Sequence, residues 1–176
     1  RTLAKKVIAK GKVTYSTGAQ PVLESIADGS IDPNAEPCGI NLYILKIIDK
    51  ITDKHSIRIS DINRQCINST VGGQSSTKSR HYAGNGSAID IDAIDGTPTN
   101  GRDANAISVI NEVMSILVDA GTAGGGYSQV GQFGCGPTIT IPDSLRVHVI
   151  RDSCNHLHLD IPAVADKTLK YTPGGW

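Results

Sequence analysis

The chain has 176 residues, 39% of them hydrophobic, and its 17 basic and 17 acidic residues leave no formal net charge. This length suffices for one domain with its own core, and the charge balance argues against nucleic acid as a partner. No apolar run approaches the length of a membrane span, so we expect no membrane-spanning segment. We expect a monomer with a single domain over residues 1–176, in which residues 1–38 form an N-terminal extension of helix and loop.

The cysteines indicate disulfide bonds and therefore an oxidising location. There are four of them, widely spaced and with no C-x-x-C pair, which argues against a ribbon-type structural zinc site. Among the three possible connectivities we favour Cys38–Cys66 and Cys135–Cys154. The chain begins at Arg1 rather than at a methionine, so we expect an exported protein or a domain of a larger one.

Two short helices are predicted near the start of the chain. Residues 1–10 form a mixed segment that Gly11 ends, and residues 22–30 form a helix that Gly29 closes.

Two longer helices are predicted over residues 40–54 and 104–120, and Asn41 is the candidate N-cap of the former. Apolar residues recur in both at the spacing of one helix face. They are Ile44, Leu45, Ile47, Ile48 and Ile51 in the first, and Ile107, Ile110, Val113, Met114 and Leu117 in the second.

Strands are predicted where apolar and polar residues alternate, over residues 55–62 and 87–94. Residues 121–137 are rich in glycine but lack the lysine of a P-loop, so we interpret them as a loop. Two more alternating segments, residues 144–150 and 156–161, flank a short polar turn and predict a hairpin. Helices and strands do not alternate regularly, which favours an α+β fold: a small antiparallel sheet flanked by helices.

Two of these strands carry candidate metal ligands on one face. Because strand side chains alternate, Asp90 and Asp92 lie opposite the buried isoleucines of residues 87–94, and His156 and His158 lie opposite the leucines of the last strand. If both strands belong to one sheet, these groups can meet His81. Imidazole and carboxylate suit zinc, and three protein ligands with one open position are typical of a catalytic site. Chelation by both histidines of the last strand remains an alternative.

The segment SRHYAGNGSAID resembles the first signature of the zinc D-Ala-D-Ala carboxypeptidase superfamily, S-x-H-x-x-G-x-A-x-D. The positions that match in type and order are Ser79, His81, Gly86, Ala88 and Asp90. HLH near the chain end resembles the H-x-H signature of one branch of this group, which also includes lysostaphin-type peptidases and the hedgehog signalling domain. The pattern selects Asp90 over Asp92. Between His81 and Asp90 the chain is two residues longer than the signature, which leaves the conformation of the AGNG segment open.

The resemblance implies a role for each matching residue. His81, Asp90 and His158 would bind Zn²⁺, and His156 would act beside the metal as a catalytic residue. Many members carry a glutamate general base three residues before the last ligand, where this chain has Asn155. An amide cannot take up the proton, so the general base stays open between His156 and another group.

Arg64 is the candidate for the arginine that faces the substrate in this superfamily. Its guanidinium would bind a substrate carboxylate or polarise the scissile carbonyl. An arginine on the protein surface is the alternative interpretation of the same residue.

The resemblance therefore predicts a hedgehog/D-Ala-D-Ala peptidase-like fold and a zinc metallopeptidase. Its substrates would be the stem or cross-link peptides of peptidoglycan, cleaved by carboxypeptidase or endopeptidase action. The expected location is secreted or cell-wall, or within a phage endolysin or tail. The alternative is a zinc-retaining binding module of the same fold, with a cell-wall or signalling role and no catalysis.

Overall fold

A computed structural model describes residues 1–19, 21–30, 40–63, 79–81, 86–135 and 139–162. Within these ranges the chain forms helices and a single sheet. The helices are α1 (Thr2–Ala9), α2 (Val22–Asp28), α3 (Leu42–Thr52) and α4 (Ala104–Ala123), and a short 3-10 turn covers Asp143–Leu145. The strands are β1 (Val13–Tyr15), β2 (Ile57–Asp61), β3 (Ala88–Ile94), β4 (Thr97–Pro98), β5 (Ser128–Phe133), β6 (Val147–Arg151) and β7 (Leu157–Asp160).

The sheet is mixed rather than antiparallel throughout. Its strand order is β1-β2-β3-β7-β5-β6, with β4 paired to β3. The central pairs are antiparallel, but β1 runs parallel to β2 and β5 runs parallel to β6. The α+β class is thus confirmed, and the expectation of a wholly antiparallel sheet is wrong at both ends of the sheet.

The predicted hairpin is also wrong, because β5 lies between β6 and β7 and pairs with both. This strand belongs to the glycine-rich segment that we interpreted as a loop. Glycine lowers strand propensity, and tertiary packing overrides it here. Val130 is fully buried, and the Ser128 hydroxyl donates to the Leu117 carbonyl of α4 at 2.6 Å.

The helices pack around a core rich in isoleucine. Helix α3 begins at the predicted cap, where the Asn41 side chain accepts a hydrogen bond from the Tyr43 amide at 2.9 Å. The predicted apolar face of α3 is buried. Helices α1 and α2 contribute to the same core through Ala4, Val7, Val22, Leu23 and Ile26, which are fully buried.

Helix α4 extends beyond its predicted end at residue 120. Gly121 lies inside it, where a Cβ would stand 2.7 Å from the Arg146 carbonyl oxygen, so this glycine permits close packing rather than ending the helix. Its buried face includes the predicted Ile110, Val113 and Leu117, whereas the predicted Ile107 and Met114 are only partly buried. Ala106, Val109 and Ala120 complete the buried face.

Helix α4 is long enough and apolar enough to cross a membrane, although we expected no membrane-spanning segment from the sequence. Its buried face belongs to the core, packed between α3 and β5.

Candidate metal centre

Three side chains from the predicted set converge on one point. Asp90 Oδ1 lies 2.8 Å from His158 Nδ1 and 3.2 Å from His81 Nε2. The two imidazole nitrogens are 3.1 Å apart. All three residues are buried, with at most 7% of their surface exposed. Two overlapping groups here could hold a metal ion: Asp90, Asp152, His156 and His158 form one, and Asp61, His81 and Asp90 form the other.

The sheet creates this convergence. Strands β3 and β7 are antiparallel neighbours in which Asp90 stands directly opposite His158. Their neighbours on the other face, Ile89, Leu157 and Leu159, are fully buried in the core. The alternation therefore fixes both side chains on the face of the sheet opposite these core residues, as predicted.

His81 arrives from the segment that precedes β3. The amide of Ser87 donates to the Arg80 carbonyl at 2.8 Å, which closes the segment next to the start of the strand. Gly86 has a φ of 45°, a conformation that glycine adopts readily. Residues 82–85, with the extra length relative to the signature, lie outside the described residues. His81 nevertheless lies within reach of Asp90.

The other nitrogen of His81 points toward a further acid. Among the described residues, Nδ1 of His81 is buried without a hydrogen-bond partner, and Asp61 Oδ2 on β2 lies 3.8 Å away. Asp61 is itself buried. Sequence reasoning did not select this aspartate.

Burial, neighbouring charges and hydrogen bonds shift the pKa values of Asp90 and His158. Burial opposes ionisation of Asp90, but the charge on His81 and the hydrogen bond from His158 hold the pKa of its carboxyl far below its usual value. Burial also opposes charge on His158, yet its hydrogen bonds to Asp160 and Asp90 raise its pKa to about 10. A metal bound by Nδ1 would take the place of a proton there, because a histidine ligand must be deprotonated at the binding nitrogen.

His156 lies beside the three converging groups. Its Nε2 is 3.4 Å from Asp90 Oδ1 and 3.4 Å from Asp152 Oδ2, and its Nδ1 is 2.7 Å from Asn155 Oδ1. Burial opposes charge on this ring, but the carboxylates of Asp152 and Asp90 raise its pKa. The structure therefore places His156 within the centre, and Asn155 at its side.

Asp152 is a residue of the centre that sequence reasoning missed. It follows β6 directly, and its Oδ2 lies 3.8 Å from His158 Nδ1. Burial opposes its ionisation, but the His156 hydrogen bond and the Ser153 amide lower the pKa of its carboxyl.

Gly131 of β5 makes room for this carboxylate. It stands opposite His158 in the register of β5 and β7. A Cβ at this position would lie 2.6 Å from the His158 Cβ and 2.8 Å from Asp152 Oδ2. A glycine is therefore required for Asp152 to reach the centre.

The outer nitrogen of His158 is also engaged. Its Nε2 lies 2.7 Å from Asp160 Oδ2, and the other oxygen of Asp160 forms an ion pair with Arg80. Sequence reasoning assigned no role to Arg80, although it directly precedes His81.

Asp92, the alternative to Asp90 as a metal ligand, contacts other residues. It accepts hydrogen bonds from Arg58 Nε at 2.6 Å and from the Ser16 hydroxyl. Its carboxylate is thereby held at β1 and β2.

The cysteine predictions are tested in part. Cys135 and Cys154 form a disulfide, as predicted, with sulfurs 2.09 Å apart. It joins the residues after β5 to the turn that carries Asp152 and Asn155. Arg64 and the predicted Cys38–Cys66 pair lie outside the described residues.

Comparisons with protein-family models, curated proteins and solved structures found no match to this chain.

Proposed function

We propose that this protein is a zinc-dependent peptidase that hydrolyses an amide bond in peptidoglycan stem or cross-link peptides. The observation that carries the proposal is the convergence of His81 Nε2, Asp90 Oδ1 and His158 Nδ1 within 3.2 Å of one another. These are the three residues that the signatures select as zinc ligands.

The donor set and its spacing support zinc. Nitrogen and carboxylate ligands bind zinc at about 2.0–2.2 Å, so tetrahedral geometry separates neighbouring donor atoms by about 3.3–3.6 Å. The distances of 2.8–3.2 Å here are shorter, so the three side chains would move apart by a few tenths of an ångström to admit the ion. Three protein ligands leave one tetrahedral position for water or substrate, which is typical of catalytic sites.

Bound zinc would lower the pKa of a coordinated water and polarise a carbonyl. Asp152 supplies the carboxylate that Asn155 does not: its Oδ2 lies beside both His156 and His158, within reach of a water at the centre. We assign to Asp152 the uptake of the proton from the attacking water and its delivery to the leaving amide nitrogen.

His156 has the complementary role. Its Nε2 faces the same side of the centre as the Asp152 carboxylate, and Asn155 holds its Nδ1. From there the ring donates a hydrogen bond to the oxygen that becomes negative when the carbonyl is attacked. The assignment leaves metal binding to His81, Asp90 and His158.

A muropeptide digest tests the proposal, with zinc content measured on the same samples. We expect the wild type to release peptide products, and His156→Ala to keep its zinc while the rate falls by about 10²–10⁴-fold. His55→Ala is the matched control, because this ring lies beside Asp95 and Glu112 instead, and it should retain full activity. Loss of zinc from His156→Ala would show that this histidine is a ligand.

Asn155, at the position of the usual glutamate, favours the alternative of a zinc-retaining binding module. The same digest separates the two functions. A wild type that holds zinc, binds peptidoglycan and releases no product would support the module and contradict the peptidase.

A further inference from the structure

An ion pair connects the two chain segments that supply the histidine ligands. Asp160 uses both of its oxygens: Oδ2 lies 2.7 Å from His158 Nε2, and Oδ1 binds Arg80 Nη1. The same Nη1 donates to the Tyr127 carbonyl at 3.0 Å, so the guanidinium is fixed from two sides. The Asp160 side chain is 3% exposed and that of Arg80 is 26% exposed.

The Arg80–Asp160 ion pair joins two segments that are far apart in the sequence. Arg80 directly precedes His81, and its carbonyl accepts the Ser87 amide at 2.8 Å. Asp160 is two residues beyond His158 on β7 and stands opposite Ala88 of β3. The pair thus ties the segment that carries His81 to the strand that carries His158.

We propose that Asp160 and Arg80 are positioning residues that set the affinity of this site for its metal. Asp160 keeps the hydrogen on Nε2 of His158, so that the lone pair of Nδ1 faces Asp90 and His81. Arg80 holds the Asp160 carboxylate in place and anchors the segment that presents His81. The inference rests on the proposed zinc site.

A second Arg–Asp pair on the same sheet provides the control. Arg58 Nε lies 2.6 Å from Asp92 Oδ1, on strands β2 and β3. Asp92 is two residues from the ligand Asp90, but its carboxylate contacts Arg58 and Ser16. Removing the Arg58–Asp92 pair shows whether the loss of an ion pair elsewhere on the sheet also changes zinc affinity.

The test measures zinc affinity by competition with a chelator, in Asp160→Asn, Arg80→Ala, Arg80→Lys and the control Arg58→Ala. Loss of an outer hydrogen-bond partner typically weakens metal binding by about 10–100-fold, and we expect this for Asp160→Asn and Arg80→Ala. Arg80→Lys should recover part of the affinity, because lysine keeps the charge without the planar fork. Arg58→Ala should bind zinc like the wild type.

A second readout separates positioning from general destabilisation. In the zinc-loaded wild type, the ring N–H resonance of His158 should show a hydrogen-bonded proton on Nε2. It should shift toward a solvent-exchanging signal in Asp160→Asn, and thermal unfolding of the metal-free variants identifies any that fail to fold. If Arg80→Ala does not fold, Asp160→Asn and Arg80→Lys decide the question.

The outcomes distinguish this inference from the proposed function. Wild-type zinc affinity and an unchanged His158 N–H signal in Asp160→Asn and Arg80→Lys would overturn the positioning role and leave the peptidase standing. A wild type that binds no zinc would overturn both. An equal loss of affinity in Arg58→Ala would also contradict the inference.

Discussion

Histidine and carboxylate groups cluster at both ends of β3, but among the described residues only the cluster at the start of the strand belongs to a group that could hold a metal ion. At the start of the strand, Asp90 meets His81 and His158 in a buried set of three donor atoms. Beyond its end, Asp95 Oδ2 lies 2.6 Å from His55 Nδ1, and Glu112 Oε1 lies 3.5 Å from Nε2 of the same ring.

The difference lies in the direction of the donor atoms. In the second cluster the two carboxylates approach opposite nitrogens of one imidazole, so the donors diverge. In the first, two separate rings direct one nitrogen each toward a single carboxylate oxygen. Burial differs as well, since the side chain of Asp95 is 44% exposed and that of Asp90 is 9% exposed. Residue type alone therefore does not define a metal site; convergence in a buried place does.

A methyl group added next to His158 should have the largest effect, whereas one added beyond the other end of β3 should leave zinc binding unchanged. Gly131→Ala would place a Cβ 2.6 Å from the His158 Cβ and 2.8 Å from Asp152 Oδ2. We expect loss of hydrolysis, weaker zinc binding and a decrease of about 1–3 kcal/mol in unfolding free energy, the usual cost of overpacking. Zinc titration, urea unfolding and muropeptide hydrolysis measure the three effects.

Gly96→Ala is the matched control at the other end. A Cβ there meets no atom within 4 Å, but Gly96 has a φ of +76°, which costs a non-glycine residue about 1–2 kcal/mol. Its stability should fall while zinc binding and hydrolysis stay at the wild-type level. Normal hydrolysis in Gly131→Ala would contradict the tight approach of Asp152.

Loss of the disulfide should reduce peptide hydrolysis more than zinc binding. Cys135→Ser combined with Cys154→Ser frees the turn that carries Asp152, and opening a loop of this size costs about 3 kcal/mol of stability. The ligands Asp90 and His158 lie on strands and should retain zinc. We expect hydrolysis to fall more than zinc affinity, measured on folded protein at a temperature well below unfolding. Equal hydrolysis with and without the disulfide would show that the turn needs no such support.

The smallest effect is expected at the diverging cluster. Asp95→Asn removes one charge from a partly exposed pair, and such pairs contribute about 0–1 kcal/mol. Asparagine tolerates the φ of 50° at this position, so the backbone should not be strained. Urea unfolding should show this small loss, with zinc affinity unchanged. A decrease in zinc affinity would mean that the two ends of β3 are coupled.

Local patterns in the sequence predicted the parts of the fold that alternation determines. The isoleucines of β3 and the leucines of β7 fixed the face on which Asp90 and His158 stand, and the signatures selected both residues. Asn41 was identified as a helix cap from its residue type and place. Each of these depends on a few neighbouring residues, so the printed sequence carries the information.

The missed features depend on contacts between distant segments. The glycines in and around β5 led us to interpret this segment as a loop. Because β5 lies between β6 and β7, these two strands do not form the predicted hairpin. Asp152 belongs to the centre only because Gly131, on that inserted strand, leaves space for it. Likewise Asp61 lies near His81, and Arg80 binds Asp160, through contacts between distant segments that local periodicity does not reveal.

The zinc content of two aspartate variants shows whether Asp90 helps to bind the metal. Asp90 and Asp92 lie two residues apart on β3, but only Asp90 contacts both His81 and His158. We predict that wild type and Asp92→Asn bind one zinc per chain, whereas Asp90→Asn loses most of it, measured by metal analysis after dialysis against zinc-buffered solution. Full zinc binding by Asp90→Asn, or no zinc in the wild type, would rule out the proposed zinc site.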